Sequence, residues 1–176
     1  EIVVVSAERI GAELRRMLVN ENRARAVELL VASGLLPVVF PELHDTVPAS
    51  AAVGESPGWQ PTLSILRRLK TSSFSVVLAA LLRESSRGFR DVEPLCRRLK
   101  LTAADRKETE FLLKHEAAIR ASRSLPWPRL QRILIQDGTA DLLSYGRAVA
   151  ETLDGHTADI EYATQRFTQP SDQLNP

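Results

Sequence analysis

The sequence predicts an all-α protein, and three observations support this. Apolar residues recur at the three-to-four-residue spacing of amphipathic helices along most of the chain, whereas strand-like alternation is absent beyond the opening run at 2–5. Helix-capping residues and Gly or Pro breakers punctuate these stretches. No segment repeats at a period of 20–50 residues, so a solenoid is not supported.

The first elements are a pair of helices. Ser6 is a good N-cap for a helix at about 6–19, because its side-chain oxygen can accept a backbone N–H of the first turn. A second helix is predicted at about 22–33, with Gly34 as its C-cap. Prolines prevent a long helix over 37–43, so only a short turn is predicted there.

A linker and a second set of helices follow. Residues 44–58 are rich in Pro, Ser, Ala and Gly, which favours a linker. Helices are then predicted at about 59–70, 73–86, 91–99, 102–122, 128–136, 140–153 and 157–168. The capping residues predicted for them are Ser72 or Ser73, Asp91, Thr102 with Asp105 as a capping box, and Thr139. The tail after Thr168 is expected to fray.

Composition places the chain among ordinary globular proteins. Apolar residues make up 44% and charged residues 26% of its 176 residues, and no apolar run approaches the roughly 18 residues of a membrane span. The single cysteine, Cys96, excludes an internal disulfide and fits a reducing compartment, so we expect a cytoplasmic protein. Its helical spacing with Val92 and Leu99 favours a buried thiol over a nucleophile.

Net charge is only +1, but it is unevenly distributed. Residues 1–88 carry 10 basic and 9 acidic side chains, residues 89–135 carry 11 and 6, and residues 136–176 carry 2 and 7. The middle segment, at +5, is therefore where phosphate contacts are expected, although a solvated helical surface is the alternative. The acidic end, at −5, together with the basic middle, would favour head-to-tail contacts between copies.

No catalytic or metal-binding pattern stands out. The three histidines, His44, His115 and His156, are far apart in sequence, and the chain has no phosphate-cradling glycine loop and no Gly-x-Ser-x-Gly turn. We therefore predict no catalytic, cofactor-binding or metal-binding residues in this chain.

RNA binding is the remaining functional signal, because guanidinium groups pair well with phosphates. Trp127 lies among arginines and is either a core anchor or a base-stacking platform. Arg67, Arg68 and Lys70 are most simply the polar face of their helix. The predicted RNA-binding residues are Arg15, Arg16, Arg23, Arg25, Arg97, Arg98, Lys100, Arg120, Arg123 and Arg129.

Two stretches resemble a known family. Ser6-Ala-Glu-Arg-Ile-Gly-Ala-Glu-Leu14 and Gly34-Leu-Leu-Pro-Val-Val-Phe-Pro-Glu-Leu43 resemble the neck and body of class II tRNA nucleotidyltransferases (CCA-adding enzymes) and bacterial poly(A) polymerases. The resemblance implies a C-terminal neck, body and tail, with RNA-binding helices at 1–45, a linker at 46–58 and a helical body and tail at 59–176. It also implies that Arg9 and Glu13, which share a helix face and can pair, brace the neck.

The resemblance further implies an enzyme that adds CMP and AMP from CTP and ATP to tRNA 3′ ends, or AMP to RNA 3′ ends. The Mg²⁺ and nucleotide sites of such enzymes lie in a head whose motifs do not occur here, so this chain alone should not polymerise nucleotides. The expected partner is tRNA or another RNA 3′ end, with no membrane or DNA.

After the linker, many members of that family resemble HD phosphohydrolases. Here Pro61 and the pair Arg83-Glu84 replace metal-binding His and Asp residues, and only His115 survives. The resemblance thus implies a degenerate, metal-free HD-like scaffold. Two alternatives stay open: a vestigial phosphohydrolase and a free-standing helical interaction module. The sequence does not decide between CCA addition and polyadenylation, nor the oligomeric state.

Overall fold

The computed structural model describes residues 6–46, 59–85 and 87–168, and within these ranges it contains ten α-helices and no strand. The predicted all-α fold is therefore confirmed. None of the described helices is long and apolar enough to cross a membrane. The helices are α1 (Ala7–Leu18), α2 (Arg23–Ala32), α3 (Leu36–Val39), α4 (Gln60–Arg68), α5 (Phe74–Leu82), α6 (Val92–Arg98), α7 (Ala103–Arg120), α8 (Trp127–Leu134), α9 (Thr139–Leu153) and α10 (Ala158–Phe167).

Several predicted helix ends are confirmed. The Ser6 hydroxyl accepts the backbone N–H of Arg9 at 3.4 Å. Gly34, at φ +69°, ends α2 with its own N–H on the Val31 carbonyl and the next N–H on the Leu30 carbonyl. Thr102 and Asp105 form the reciprocal capping box of α7. Residues 41–46 form a 3-10 turn, and the rest of the predicted linker, 47–58, lies outside the described residues, as does the tail after 168.

One predicted cap is wrong, and another lies at its predicted position without a side-chain capping bond. Helix α9 begins with Gly138 in the N-cap position at φ +87°, and the Thr139 hydroxyl instead donates to the Ile133 and Gln136 carbonyls at 3.0 and 2.7 Å. Asp91 occupies the N-cap position of α6 without a side-chain capping bond. Its carboxylate is buried 3.6 Å from Arg87.

The predicted Arg9–Glu13 pair does not form. Both side chains are exposed, and Glu13 pairs with Arg16 at 3.1 Å. A glutamate N-terminal to its basic partner is the more favourable orientation along a helix, which explains the choice. Whether Arg9 and Glu13 brace a neck stays a prediction.

Helix α5 is the centre of the core. All nine of its residues are buried, and α1, α4, α7 and α9 pack around it. The fully buried Tyr145 of α9 donates its hydroxyl hydrogen to the Ala79 carbonyl of α5 at 3.4 Å.

Cys96 is buried as predicted, and burial raises its pKa to about 11, so its thiol stays protonated at neutral pH.

Arg15 of α1 joins three elements. Its guanidinium lies 4.3 Å from the centre of the Phe74 ring and 2.5 Å from Asp105. Burial favours the protonated carboxyl, but hydrogen bonds from Arg15 and Thr102 outweigh it and lower the pKa of Asp105. The carboxylate thus connects α1 to the start of α7 at neutral pH.

Helix α1 also approaches the end of α6 very closely at Gly11. A Cβ atom at this position would lie 2.5 Å from the Leu99 carbonyl oxygen, a backbone atom that no side-chain rotation can move. The glycine is therefore required by packing, although glycine is a poor helix former.

We predict that Gly11→Ala destabilises the protein by about 1–3 kcal/mol, because the added methyl group forces the two helices apart. Helix propensity alone predicts the opposite sign, a gain of about 1 kcal/mol. Urea unfolding followed by circular dichroism measures the difference, and Glu13→Ala on the exposed face of α1 is the control. A stabilised Gly11→Ala protein would contradict the close approach.

Candidate nucleic-acid interface

The structure divides the ten predicted RNA-binding residues into three groups. Six pair with carboxylates of this chain, one is buried against backbone carbonyls, and three are exposed with no ion pair among the described residues. The groups are, in that order, Arg15, Arg16, Arg25, Arg97, Arg98 and Arg120; Arg23; and Lys100, Arg123 and Arg129.

Besides Arg15, two members of the paired group serve tertiary packing. Arg98 donates to the Val39 carbonyl at 2.9 Å and to both carboxylate oxygens of Glu42 at 2.9 Å, which ties α6 to the end of α3. Arg120 holds Asp154 with two 2.8 Å bonds and also donates to Glu116. Because these charges are balanced inside the molecule, they add little to the field that a phosphate would meet.

Arg23 holds the backbone around it in place through hydrogen bonds. Its guanidinium is buried and donates to the carbonyls of Leu69 at 2.8 Å and Thr71 at 2.6 Å, while its Nε donates to the Asn20 carbonyl at 3.0 Å. Burial lowers the pKa of Arg23, although the nearby Glu21 carboxylate opposes this. The two carbonyls flank Lys70, so Arg23 fixes the backbone that presents Lys70 to solvent beside the start of α2.

A second contact joins α2 to α4. Glu28 accepts hydrogen bonds from Arg25, at 3.1 Å, and from Arg67 of α4. The two arginine side chains keep 69% and 53% of their surface exposed, whereas that of Glu28 keeps 16%. One carboxylate therefore aligns two guanidinium groups and leaves the trio with net charge +1.

These residues form one positively charged surface, which we call the α2–α4 basic surface: Arg25, Arg67 and Lys70, with Glu28 between the arginines. Sequence reasoning assigned Arg67 and Lys70 to a helix polar face and missed their part here. No local signal could have found them, because Arg67 and Arg25 are 42 positions apart and meet only when α2 packs on α4.

The start of α2 contributes peptide dipoles to the same region. Asn22 stands at the N-cap position without a side-chain capping bond, and its own N–H is held by the Asn20 side chain at 2.9 Å. The Arg23 N–H donates to the Asn20 carbonyl at 3.1 Å. The next N–H groups of the first turn carry partial positive charge at the helix end, which favours anions.

The region compared with HD phosphohydrolases holds a cluster of charged side chains. Arg83 hydrogen-bonds Glu84 and lies 3.9 Å from Glu116, which also accepts from Arg120. The buried Nε of Arg83 has no hydrogen-bond partner. In the described part of the chain, no three His, Cys, Asp or Glu side chains come together as metal ligands would. A guanidinium group thus supplies the positive charge among these carboxylates.

The remaining site candidates lie elsewhere. His115 packs its ring on Phe111, 4.9 Å between centroids, and burial together with Lys114 lowers its pKa. His156 is exposed, and the side chain of His44 lies outside the described residues. Trp127 is half-buried and packs against the core, as the core-anchor alternative predicted. The Arg166 guanidinium lies 5.3 Å from the centre of its ring, so the ring already contacts a cation.

Comparison with known proteins finds a family match for one segment of the chain. Residues 1–46, which include α1 to α3, match a family model described as "Probable RNA and SrmB- binding site of polymerase A". No curated protein and no solved structure matches the chain. The match marks a poly(A) polymerase-related RNA-binding region, and RNA is the partner that it supports.

We predict that Arg23→Met lowers the free energy of unfolding by about 2–3 kcal/mol, because two backbone carbonyls lose their charged donor inside the protein. Arg25→Met is the matched control, since its exposed guanidinium makes only a surface ion pair and its loss should cost less than about 1 kcal/mol. Chemical unfolding measures both. Equal losses for the two variants would show that Arg23 does not hold the 69–71 segment.

Proposed function

We propose that this chain binds RNA through the α2–α4 basic surface. The observation that carries the proposal is that Arg25 and the start of α2, both inside the family-matched segment, are joined by Arg67 and Lys70 from outside it. Guanidinium groups suit phosphate oxygens bidentately, and the Lys70 ammonium adds a point charge. Such a surface reads charge and shape rather than sequence.

The Glu28 carboxylate aligns the two arginines and also weakens their field. It holds both guanidinium groups before RNA arrives, so less side-chain entropy is lost on binding. Three phosphate contacts would give a salt slope of about −2.1 to −2.7, which corresponds to roughly 20- to 40-fold weaker binding over a fourfold rise in salt.

We further propose that the chain works as the RNA-holding part of a nucleotidyltransferase that extends RNA 3′ ends. The resemblance of the two quoted stretches to class II tRNA nucleotidyltransferases and bacterial poly(A) polymerases supports this, as does the family model matched by residues 1–46. In this proposal tRNA or another RNA is the substrate, CTP or ATP with Mg²⁺ act in a separate head, and the helical body holds the RNA while the head extends it.

For the binding proposal, we predict that Arg25→Gln, Arg67→Gln and Lys70→Gln together weaken binding to a tRNA transcript at least about 10-fold and reduce its salt slope by about 2–3. Fluorescence anisotropy at several salt concentrations measures both quantities. Glu28→Gln is the companion variant, and we expect it to tighten binding because it unmasks two guanidinium groups.

The matched control removes three exposed charges elsewhere, with Arg90→Gln, Arg97→Gln and Lys100→Gln around α6. It should change the affinity less than about twofold, since these residues lie outside the proposed surface. If the control variant loses affinity and the α2–α4 variant does not, the RNA contact lies on the basic middle segment instead.

For the enzymatic proposal, we predict that the coding region preceding residue 1 encodes Gly-Gly-x-x-Arg-Asp, Asp-x-Asp and Glu-Asp-x-x-Arg segments. The complete gene product should then extend tRNA lacking CCA, or another RNA 3′ end, with Mg²⁺, CTP and ATP, whereas the 176-residue chain alone should not. A preceding region without these segments would contradict the enzymatic proposal but not RNA binding.

A further inference from the structure

An exposed corner between α8 and α9 is not used by the proposed RNA surface. Ile135 lies at this corner with 67% of its surface exposed, the largest value among the exposed large hydrophobic residues of the described chain. Helix α8 packs on α7 and α10, whereas the RNA surface is built on α2 and α4. The corner therefore offers an independent contact surface.

The charges around Ile135 change sign at this residue. Arg129 and Arg132 precede it on the exposed face of α8, and Asp137 and Asp141 follow it at the start of α9. In the part of the chain that the structure describes, none of these four side chains forms an ion pair. Two unpaired positive charges thus precede the apolar residue along the chain, and two unpaired negative charges follow it.

A groove of about 790 Å³ lies beside Ile135, between α7 and the turn from α8 into α9. Phe111 and Leu112 contribute to its lining, and Gly138, at φ +87°, forms the turn beside it. Its charged lining consists of four carboxylates, Glu108, Glu110, Asp137 and Asp141, and two ammonium groups, Lys107 and Lys114. The charged side chains that line the groove therefore sum to a net charge of −2.

We propose that this corner is an isologous interface between two copies of the chain. In such a two-fold symmetric contact, both molecules use the same surface. Every contact between two residues therefore occurs twice, once in each direction. Ile135 of each copy enters the groove of the other, against Phe111, and Arg129 and Arg132 of each copy face Asp137 and Asp141 of the other. The two added guanidinium groups balance the net charge of the groove.

Charge complementarity selects a second copy over RNA as the occupant. RNA would be attracted to Arg129 and Arg132 but repelled by Asp137 and Asp141, which follow them in the turn and at the start of α9. RNA would also leave Ile135 exposed to water. A second copy satisfies all four charges and buries the apolar side chain at the centre of the contact.

The interface predicts a concentration-dependent mass. In sedimentation equilibrium at about 0.05 M salt, where charge pairs are weakly screened, the 176-residue chain should approach twice 19.5 kDa. Ile135→Asp should return it to a monomer. Arg129→Asp with Arg132→Asp, and separately Asp137→Arg with Asp141→Arg, should each weaken self-association at least about 10-fold, because like charges then oppose each other.

The decisive measurement mixes the two charge-reversed proteins. Each is unable to pair with itself, but one now carries four negative and the other four positive side chains, so the mixture should form a heterodimer. The matched control, Arg90→Asp with Arg97→Asp, changes the charge equally at α6 and should remain dimeric. Thermal melting of each variant verifies that it is folded.

Several outcomes would overturn the proposal. A wild-type protein that stays monomeric at about 100 μM, a concentration sufficient for weak association, would exclude the interface. So would dimers that survive both charge reversals, or a mixture that fails to associate. A monomeric protein whose Arg129→Asp, Arg132→Asp variant loses affinity for RNA would assign the face to RNA instead. None of these results depends on the α2–α4 basic surface.

Discussion

The fold depends on the complete burial of α5, which must be packed against other helices on every side. A helix whose nine residues are all buried has no polar face to turn toward water, so each of its sides must meet another helix. α1, α4, α7 and α9 provide these contacts, and the family-matched segment is therefore attached to the rest of the chain through the core. The Arg15 contacts with Phe74 and Asp105 strengthen this attachment with a charge pair.

Four of the nine arginines that the sequence predicts as RNA contacts, Arg15 among them, are used in tertiary packing. Arg23 serves backbone carbonyls, Arg98 joins α6 to the end of α3, and Arg120 joins α7 to the loop after α9. The net charge of a segment consequently says little about its outer surface. What a phosphate would meet is set by the side chains that remain exposed and by the carboxylates beside them, as at Arg25, Glu28 and Arg67.

The two proposed surfaces are of different kinds. The α2–α4 basic surface combines flexible cations with one shared carboxylate and exposes no large apolar side chain among its members. The corner at Ile135 combines an apolar residue with charges of both signs and an adjoining groove. The first arrangement suits a polyanion, while the second suits a surface of matching shape and reversed charge order. RNA binding and self-association can thus occur on one molecule without competing.

The sequence by itself determined the fold class, most helix ends, the buried state of Cys96 and the resemblance of residues 1–45 to a poly(A) polymerase-related RNA-binding region, because these depend on local spacing, capping and motif. Its errors at Thr139 and in the Arg9–Glu13 pair arose where several local partners were available and tertiary geometry chose among them. Only the tertiary structure decided which cations stay exposed, that Arg67 meets Arg25 through Glu28, and that Lys70 lies beside the start of α2. An ion pair between two helices forms only when packing brings together residues that are far apart in the chain. The spacing of residues in the sequence does not predict which of them will meet.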